Sequence, residues 1–367
     1  MESPLLGLPG AVPDTGPDAG VAAHYGDPVR EQRAMARDAG LVDRSHRGVV
    51  RITGPDRLPW LHSLTTQHLE KLAAGSTAQA LILSPNGHVE HHLTLTDDGT
   101  AVWAHVEPGT AAALAGFLES MRFMLRVEAA DVSADYAVLT LAGPASAAAA
   151  SAAADVTAAE TAGPSGADLI VPRERLGEIA GRLRDAGARM AGMWAYEALR
   201  IAARQPRFGT DTDGNTIPHE AGWIGTAVHL SKGCYRGQET VARVHNLGHP
   251  PRRLVFLHLD GSVDRLPAHG DAVELDGKRV GFTGSAARHF ELGPIALAMV
   301  RRTVPADATL LAAGVAATQE VIVPPDAGAN VKVDRAAFLR PQPPLRARPP
   351  APPAAGKTES AGTTEGR

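Results

Sequence analysis

Lys232-Gly233-Cys234-Tyr235-Arg236-Gly237-Gln238-Glu239 holds the only cysteine of the chain, and its reading governs the rest. Two glycines four residues apart permit positive-φ backbone that a side chain resists. Residues 238–244 read as a short helix: Gln238 and Glu239 fall in its first turn, Val241 and Val244 share a face, and Gly248 lies just past the end. The Cys234 thiol is thus expected in a loop near a helix N-terminus, flanked by Lys232 and Arg236, and both features favour thiolate over thiol. A lone cysteine is often an inert buried one, but polar and glycine neighbours predict an accessible thiol here. A hydrolase would need a histidine base; His229 and His245 are near in sequence, and no protease signature surrounds them.

Working outward, composition sets limits. The chain has 367 residues, enough for two or three domains. Its formal charge of −4 supplies no positive field for nucleic acid. One cysteine excludes an intrachain disulfide framework, and no CxxC zinc pair occurs. No apolar run reaches the ~18 residues of a membrane span, and the N-terminus lacks a signal-peptide pattern, so a cytoplasmic protein is expected. Residues 1–20, rich in Gly, Pro and Asp, read as a flexible start; residues 326–367, rich in Pro and Ala, read as a disordered tail. Residues 145–159, mostly Ala and Ser, fit either a helix or a flexible insertion.

Between these ends the periodicity predicts helices over 29–39, 57–72, 173–186 and 194–204, and strands over 48–53, 80–83, 89–95, 101–106 and 135–142. Gly54-Pro55-Asp56 reads as a turn and helix cap, and Asp98-Gly99 as a hairpin turn. His88, His91 and His92 do not read as a metal site: four residues of strand put His88 ~13 Å from His92. Trp194 and Tyr196 are expected in the core. After Pro250 come short strands over 254–259, 272–275, 280–283 and 295–300 with a type I′ signal at Asp276-Gly277, the pattern of a small β-barrel. Arg252, Arg253, Arg301 and Arg302 read as solubilising charges.

The octet resembles the signature of the YgfZ family of folate-binding proteins, relatives of the aminomethyltransferase (T-protein) of the glycine cleavage system. Arg207-Phe208-Gly209-Thr210-Asp211 and Ile217-Pro218-His219-Glu220-Ala221-Gly222-Trp223 before it are similar to that pattern in order, as are Val241-Ala242-Arg243 and Glu291-Leu292-Gly293-Pro294-Ile295-Ala296 after it. The resemblance runs from about residue 24 to about residue 323. It implies an α+β, T-protein (GcvT)-like folate-binding domain of two lobes over 21–248 and a C-terminal β-barrel domain over 249–325, around a central channel. It also implies tetrahydrofolate, or a one-carbon-substituted folate, as ligand. Glu220 would pair with the pterin, the alternative being a surface or ion-paired glutamate, and Trp223 would stack on the pterin or pack in the core. Lys232, Gly233, Tyr235, Gly237, Gln238, Glu239 and Arg243 would complete the binding set, with Lys232 and Arg243 facing the folate's glutamate tail or an acidic partner, or simply solvated. Cys234 would be the catalytic group, beside the folate.

Two departures bear on activity. Where the aminomethyltransferase carries an Asp pair, this chain has His91 and His92 in Gly87-His88-Val89-Glu90-His91-His92, and imidazole does not replace a constitutive carboxylate. Where that enzyme's helix supplies a glutamate after Arg-Ile or Arg-Leu, Arg200-Ile201 is followed by Ala202. Glycine cleavage is therefore not expected. The implied function is folate-dependent support of iron–sulfur protein assembly or repair and, indirectly, of tRNA modification, with iron–sulfur assembly machinery or client enzymes as partners. A folate-dependent one-carbon transferase or demethylase, and a non-catalytic adaptor for iron–sulfur clients, remain as alternatives.

Overall fold

The computed structural model describes residues 2–160 and 165–331. Two five-stranded sheets and a closed six-stranded barrel carry the architecture. In the first sheet the order is Thr77–Leu83, Val89–Asp97, Ala101–Val106, Gly48–Thr53 and Glu128–Asp131, all antiparallel. In the second it is Thr157–Glu160, Ser165–Pro172, Tyr136–Ala142, Gly40–Asp43 and Arg189–Ala191, with only the last pair parallel. Successive side chains of a strand point to opposite faces. Val102, Ala104 and Val106 accordingly meet the helices Arg57–Leu64 and Ala111–Ser120, while Ala101 and Trp103 meet Val138 and Ile170 of the other sheet. Each large apolar side chain so buried contributes roughly 1.5–3 kcal/mol before entropy is counted. The alternative face of the second sheet is closed by the helix Leu176–Asp185.

Most elements follow the patterning, and the departures have local causes. The helix expected over 57–72 stops at Leu64, because Thr65 and Thr66 turn to other partners. Thr66 Oγ1 donates to Ala227 O (2.6 Å), and its backbone N–H donates to Leu81 O (3.0 Å). Asp56 sits at that helix's start but makes no cap bond; its carboxylate holds Arg126. Residues 146–150 are helical, followed by a 3₁₀ turn over Ser151–Ala153. Residues 2–20 are built into the fold, contrary to the flexible reading. Ser3 contacts Asp43, Leu5 joins the core of the second sheet, and Asp18 is buried against Arg207. Small-residue composition concealed these anchors. The tail beyond Val331 lies outside the described residues.

The barrel runs Arg252–Leu259, Gly293–Arg301, Lys278–His289, Ala272–Leu275, Leu310–Ala312 and Val315–Val321. Asp276 and Gly277 both have positive φ (51° and 72°), as a type I′ hairpin requires. Two of the arginines read as solubilising do other work. Arg253 is fully buried and donates to Val304 O (3.0 Å) and Gln319 Oε1 (2.9 Å). Arg252 clamps Asp213 and Glu220. The barrel is tied to the helix Met193–Ala202 through Arg200, whose Nη2 lies 2.5 Å from Ser285 Oγ.

Candidate functional site

A cavity of about 590 Å³ opens where the layer between the two sheets changes from apolar to polar. On three strands the residue two places along from a core residue, hence on the same face, is polar. His105 follows Trp103, Thr140 follows Val138, and Asp168 precedes Ile170. His105 and Asp168 line the cavity, while Thr140 Oγ1 donates to Asp168 Oδ1 (2.5 Å) behind it. The chain crosses from one sheet to the other between Asp43 and Gly48, and this short link delivers Arg44, His46 and Arg47 to the wall. The helix Met193–Ala202 adds Tyr196, Glu197 and Arg200, and the loop after it adds Arg207.

These groups form one chain of contacts. Arg47 Nε donates to His105 Nδ1 (3.0 Å), which leaves Nε2 to carry the imidazole proton facing Asp168 Oδ2 (3.0 Å). Arg47 Nη1 and Arg207 Nε share the Glu107 carboxylate at 2.6 and 2.7 Å. Arg207 is also bidentate to Asp18 (2.9 and 2.7 Å), whose Oδ1 lies 2.8 Å from His46 Nε2. Arg44 sits 4.7 Å over the Tyr196 ring and pairs with Asp168 (3.3 Å). Arg200 forks onto Glu197 (2.9 and 2.6 Å) and reaches Asp211 (2.9 Å).

Burial alone would raise the Glu107 carboxyl, but Arg47 and Arg207 together hold it well below the usual range. Asp168 is likewise raised by burial and lowered further by Arg44 and His105. In Asp18 the hydrogen bonds from His46 and Arg207 overcome burial in the same way. All three carboxylates are therefore charged at neutral pH.

His92 lines the cavity and His91 does not, as strand alternation demands. The His92 ring lies 4.8 Å from Trp223 and 3.2 Å from Gln79 Oε1, and burial pushes its pKa down to about 4. It is neutral at pH 7. His91 turns toward Phe117, and Glu90 pairs with Arg236 on the outside. His88 lies ahead of the strand rather than on it.

Of the residues assigned to the catalytic and folate-binding set by resemblance, Trp223 alone lines the cavity. Glu220 is fully buried, but both its oxygens are taken. Oε1 accepts from Arg252 N (3.1 Å) and Nε (2.9 Å), and Oε2 from Ile217 N (3.1 Å) and Arg252 Nη2 (2.9 Å). Its carboxylate is a structural clamp between the loop and the barrel. The octet lies away from the cavity wall. Lys232 Nζ donates to the carbonyls of His62 and Thr65, and burial lowers its pKa to about 8. Tyr235 packs with Leu81, Leu83, Trp223 and Val241.

Gly237 alone of the two octet glycines needs its identity. It has φ 79°, and a Cβ there would meet Ser84 O at 2.6 Å. Gly233 has no such constraint and, like Cys234, Glu239 and Arg243, is exposed. Gln238 is half-buried at the start of the helix Gln238–Leu247. Trp194, expected in the core, is 54% exposed beside His24. His229 and His245 approach other groups: His229 lies against His68, and His245 accepts at its backbone carbonyl from Asn330.

Sequence reasoning missed Arg44, His46, Arg47, His105, Glu107, Asp168, Glu197 and Arg207 as wall residues. A signal was present in the lone polar residue of each apolar strand and in the two arginines and the histidine placed between two strands.

Residues 23–164 match the family model described as the GCVT N-terminal domain. Over 313 residues the chain is 29% identical to an aminomethyltransferase of Symbiobacterium thermophilum, covering 75% of this chain and 82% of that protein. Over 308 residues it is 26% identical to a putative chloroplastic transferase of Arabidopsis thaliana, covering 70% and 65%. The crystal structure of the glycine cleavage system aminomethyltransferase T from Bartonella henselae superposes with a TM-score of 0.73 at 20% identity, over 86% of this chain and 94% of that one. The chain thus has an aminomethyltransferase-like fold, in which a region similar to the GCVT N-terminal domain leads to a C-terminal closed β-barrel.

Proposed function

We propose that this protein binds a reduced folate in the cavity between its sheets and serves iron–sulfur protein assembly or repair rather than glycine cleavage. The cavity itself carries the reading. Its size is within the roughly 300–1,000 Å³ of small-molecule sites. Its wall alternates guanidinium donors with carboxylate acceptors, which suits the donor–acceptor edge of a pterin, and Trp223 and Tyr196 offer aromatic faces. His46 Nδ1 is buried on this wall with no hydrogen-bond partner among the described residues, a polar atom to which a ligand can bond. The neutral imidazole of His92 lies where the resemblance puts a catalytic carboxylate, which favours binding over aminomethyl transfer. The iron–sulfur role rests on the octet's resemblance. Since Cys234 is exposed and off the cavity wall, its proposed reaction partner is a client protein and not the folate.

The test is calorimetric titration of the full chain with tetrahydrofolate, repeated with Trp223→Ala and Cys234→Ala. Saturable binding weakened by the first and untouched by the second is the expected result. Absence of binding to the intact protein overturns the folate reading. The relatives' names favour a second reading, a folate-dependent one-carbon transferase, and formation of methylene-tetrahydrofolate with release of ammonia from an aminomethyl donor would establish it in place of the first.

A further inference from the structure

A second cluster of chemistry-bearing side chains lies outside the cavity, where the helix Arg57–Leu64 ends. One ligand-capable atom from each of His62, His68 and Glu70 falls within 4.8 Å of the other two. The His62 and His68 rings meet edge to face at 4.7 Å, and the His229 ring lies 5.4 Å from that of His68. The juxtaposition is held by backbone. Thr66 O accepts from His229 N (2.9 Å), Thr66 Oγ1 donates to Ala227 O (2.6 Å), and Gln67 Nε2 donates to Thr226 O (3.0 Å). Two loops 159 to 161 residues apart in sequence are thereby pinned with their histidines adjacent.

We propose that His62, His68 and Glu70 form a site for a first-row divalent metal ion, with zinc the fitting ion. Two imidazoles and a carboxylate are a three-ligand zinc set that leaves one position open. Ligand atoms of a tetrahedral zinc site lie roughly 3.3 Å apart, given metal–ligand bonds of ~2.0–2.2 Å. The separations, up to 4.8 Å, must therefore shorten for an ion to be held. Binding competes with the long bond from Leu69 N to His62 Nδ1 (3.3 Å), which among the described residues is the hydrogen bond it must displace or answer with a tautomer shift. The Lys232 ammonium, fastened to the carbonyls of His62 and Thr65, opposes a dication there, which sets this apart from a buried, very tight structural site.

The experiment uses the full chain stripped of metal by chelation and titrated with Zn²⁺ in competition with a chromophoric chelator. One Zn²⁺ per chain is expected. His68→Ala and Glu70→Ala should each weaken binding by at least ~10-fold, the lower end of what even an outer-shell partner is worth. Circular dichroism should show both variants folded, because neither residue belongs to a hydrophobic core. The exposed thiol is the obvious competitor, so Cys234→Ser is included and should bind as the parent does. No stoichiometric binding, equal binding by the His68 and Glu70 variants, or loss in Cys234→Ser would each overturn the assignment.

Discussion

Replacing Arg207 by Met tests whether the polar network at the cavity is built as described. Arg207 holds Glu107 through Nε and Asp18 through both Nη atoms, and its side chain is 7% exposed. Removing one member of a buried ion pair typically costs ~3–5 kcal/mol, because the partner charge is left uncompensated. Here each stranded carboxylate keeps one cationic or hydrogen-bonding neighbour, Arg47 for Glu107 and His46 for Asp18. The loss should therefore fall near the lower end, ~3 kcal/mol at pH 7. Urea unfolding followed by tryptophan fluorescence measures it.

The pH dependence supplies a second readout. Glu107 and Asp18 are both held below their ordinary values in the folded protein. Their contribution is thus present above the unfolded pKa values of ~4.3 and ~3.9 and is lost as pH falls through and below them. In Arg207→Met both carboxyls move back up, so the acid limb of stability below about pH 5 becomes shallower. Arg207→Lys keeps the charge but loses the fork and should fall between. A loss under ~1 kcal/mol, with an unchanged acid limb, would refute the account of Arg207 as the network's hub.

Two further substitutions separate structure from binding. Gly237→Ala should cost ~1–3 kcal/mol by forcing a left-handed conformation against Ser84 O, while Gly233→Ala should stay within ~0.5 kcal/mol, both by chemical denaturation. Glu220→Ala should lower stability by ~3 kcal/mol through the stranded Arg252, and tetrahydrofolate affinity of the folded fraction should be unchanged.

The sequence made single elements legible wherever one local rule sufficed. The strand Gly48–Thr53 and the hairpin at Asp98 follow from apolar runs and a turn residue; Asp98 Oδ1 accepts from Thr100 N and Ala101 N. The last barrel hairpin was missed because its turn is Ala313-Gly314, and a non-glycine residue rarely takes the φ of 50° that Ala313 adopts. The site was hidden for a different reason. Asp18, Arg47, Glu107, Asp168 and Arg207 come from five distant segments, and only the stacking of two sheets brings them together. The octet was conspicuous, yet its Tyr235 and Gly237 seat a helix against the Ser84–Gly87 turn, so a strong local signature marked packing as much as chemistry.

The network of buried charges also constrains how this protein can change over generations. Its members depend on one another, so losing one leaves others bare at several kcal/mol, a large part of the ~5–15 kcal/mol that keeps a protein folded. An apolar set of similar volume could replace the whole network at little or no cost, but only if several positions changed together. Single-step drift meets a valley on every side. The residues at 18, 47, 107 and 207 are thus expected to persist or vanish as a group, whatever ligand the cavity holds.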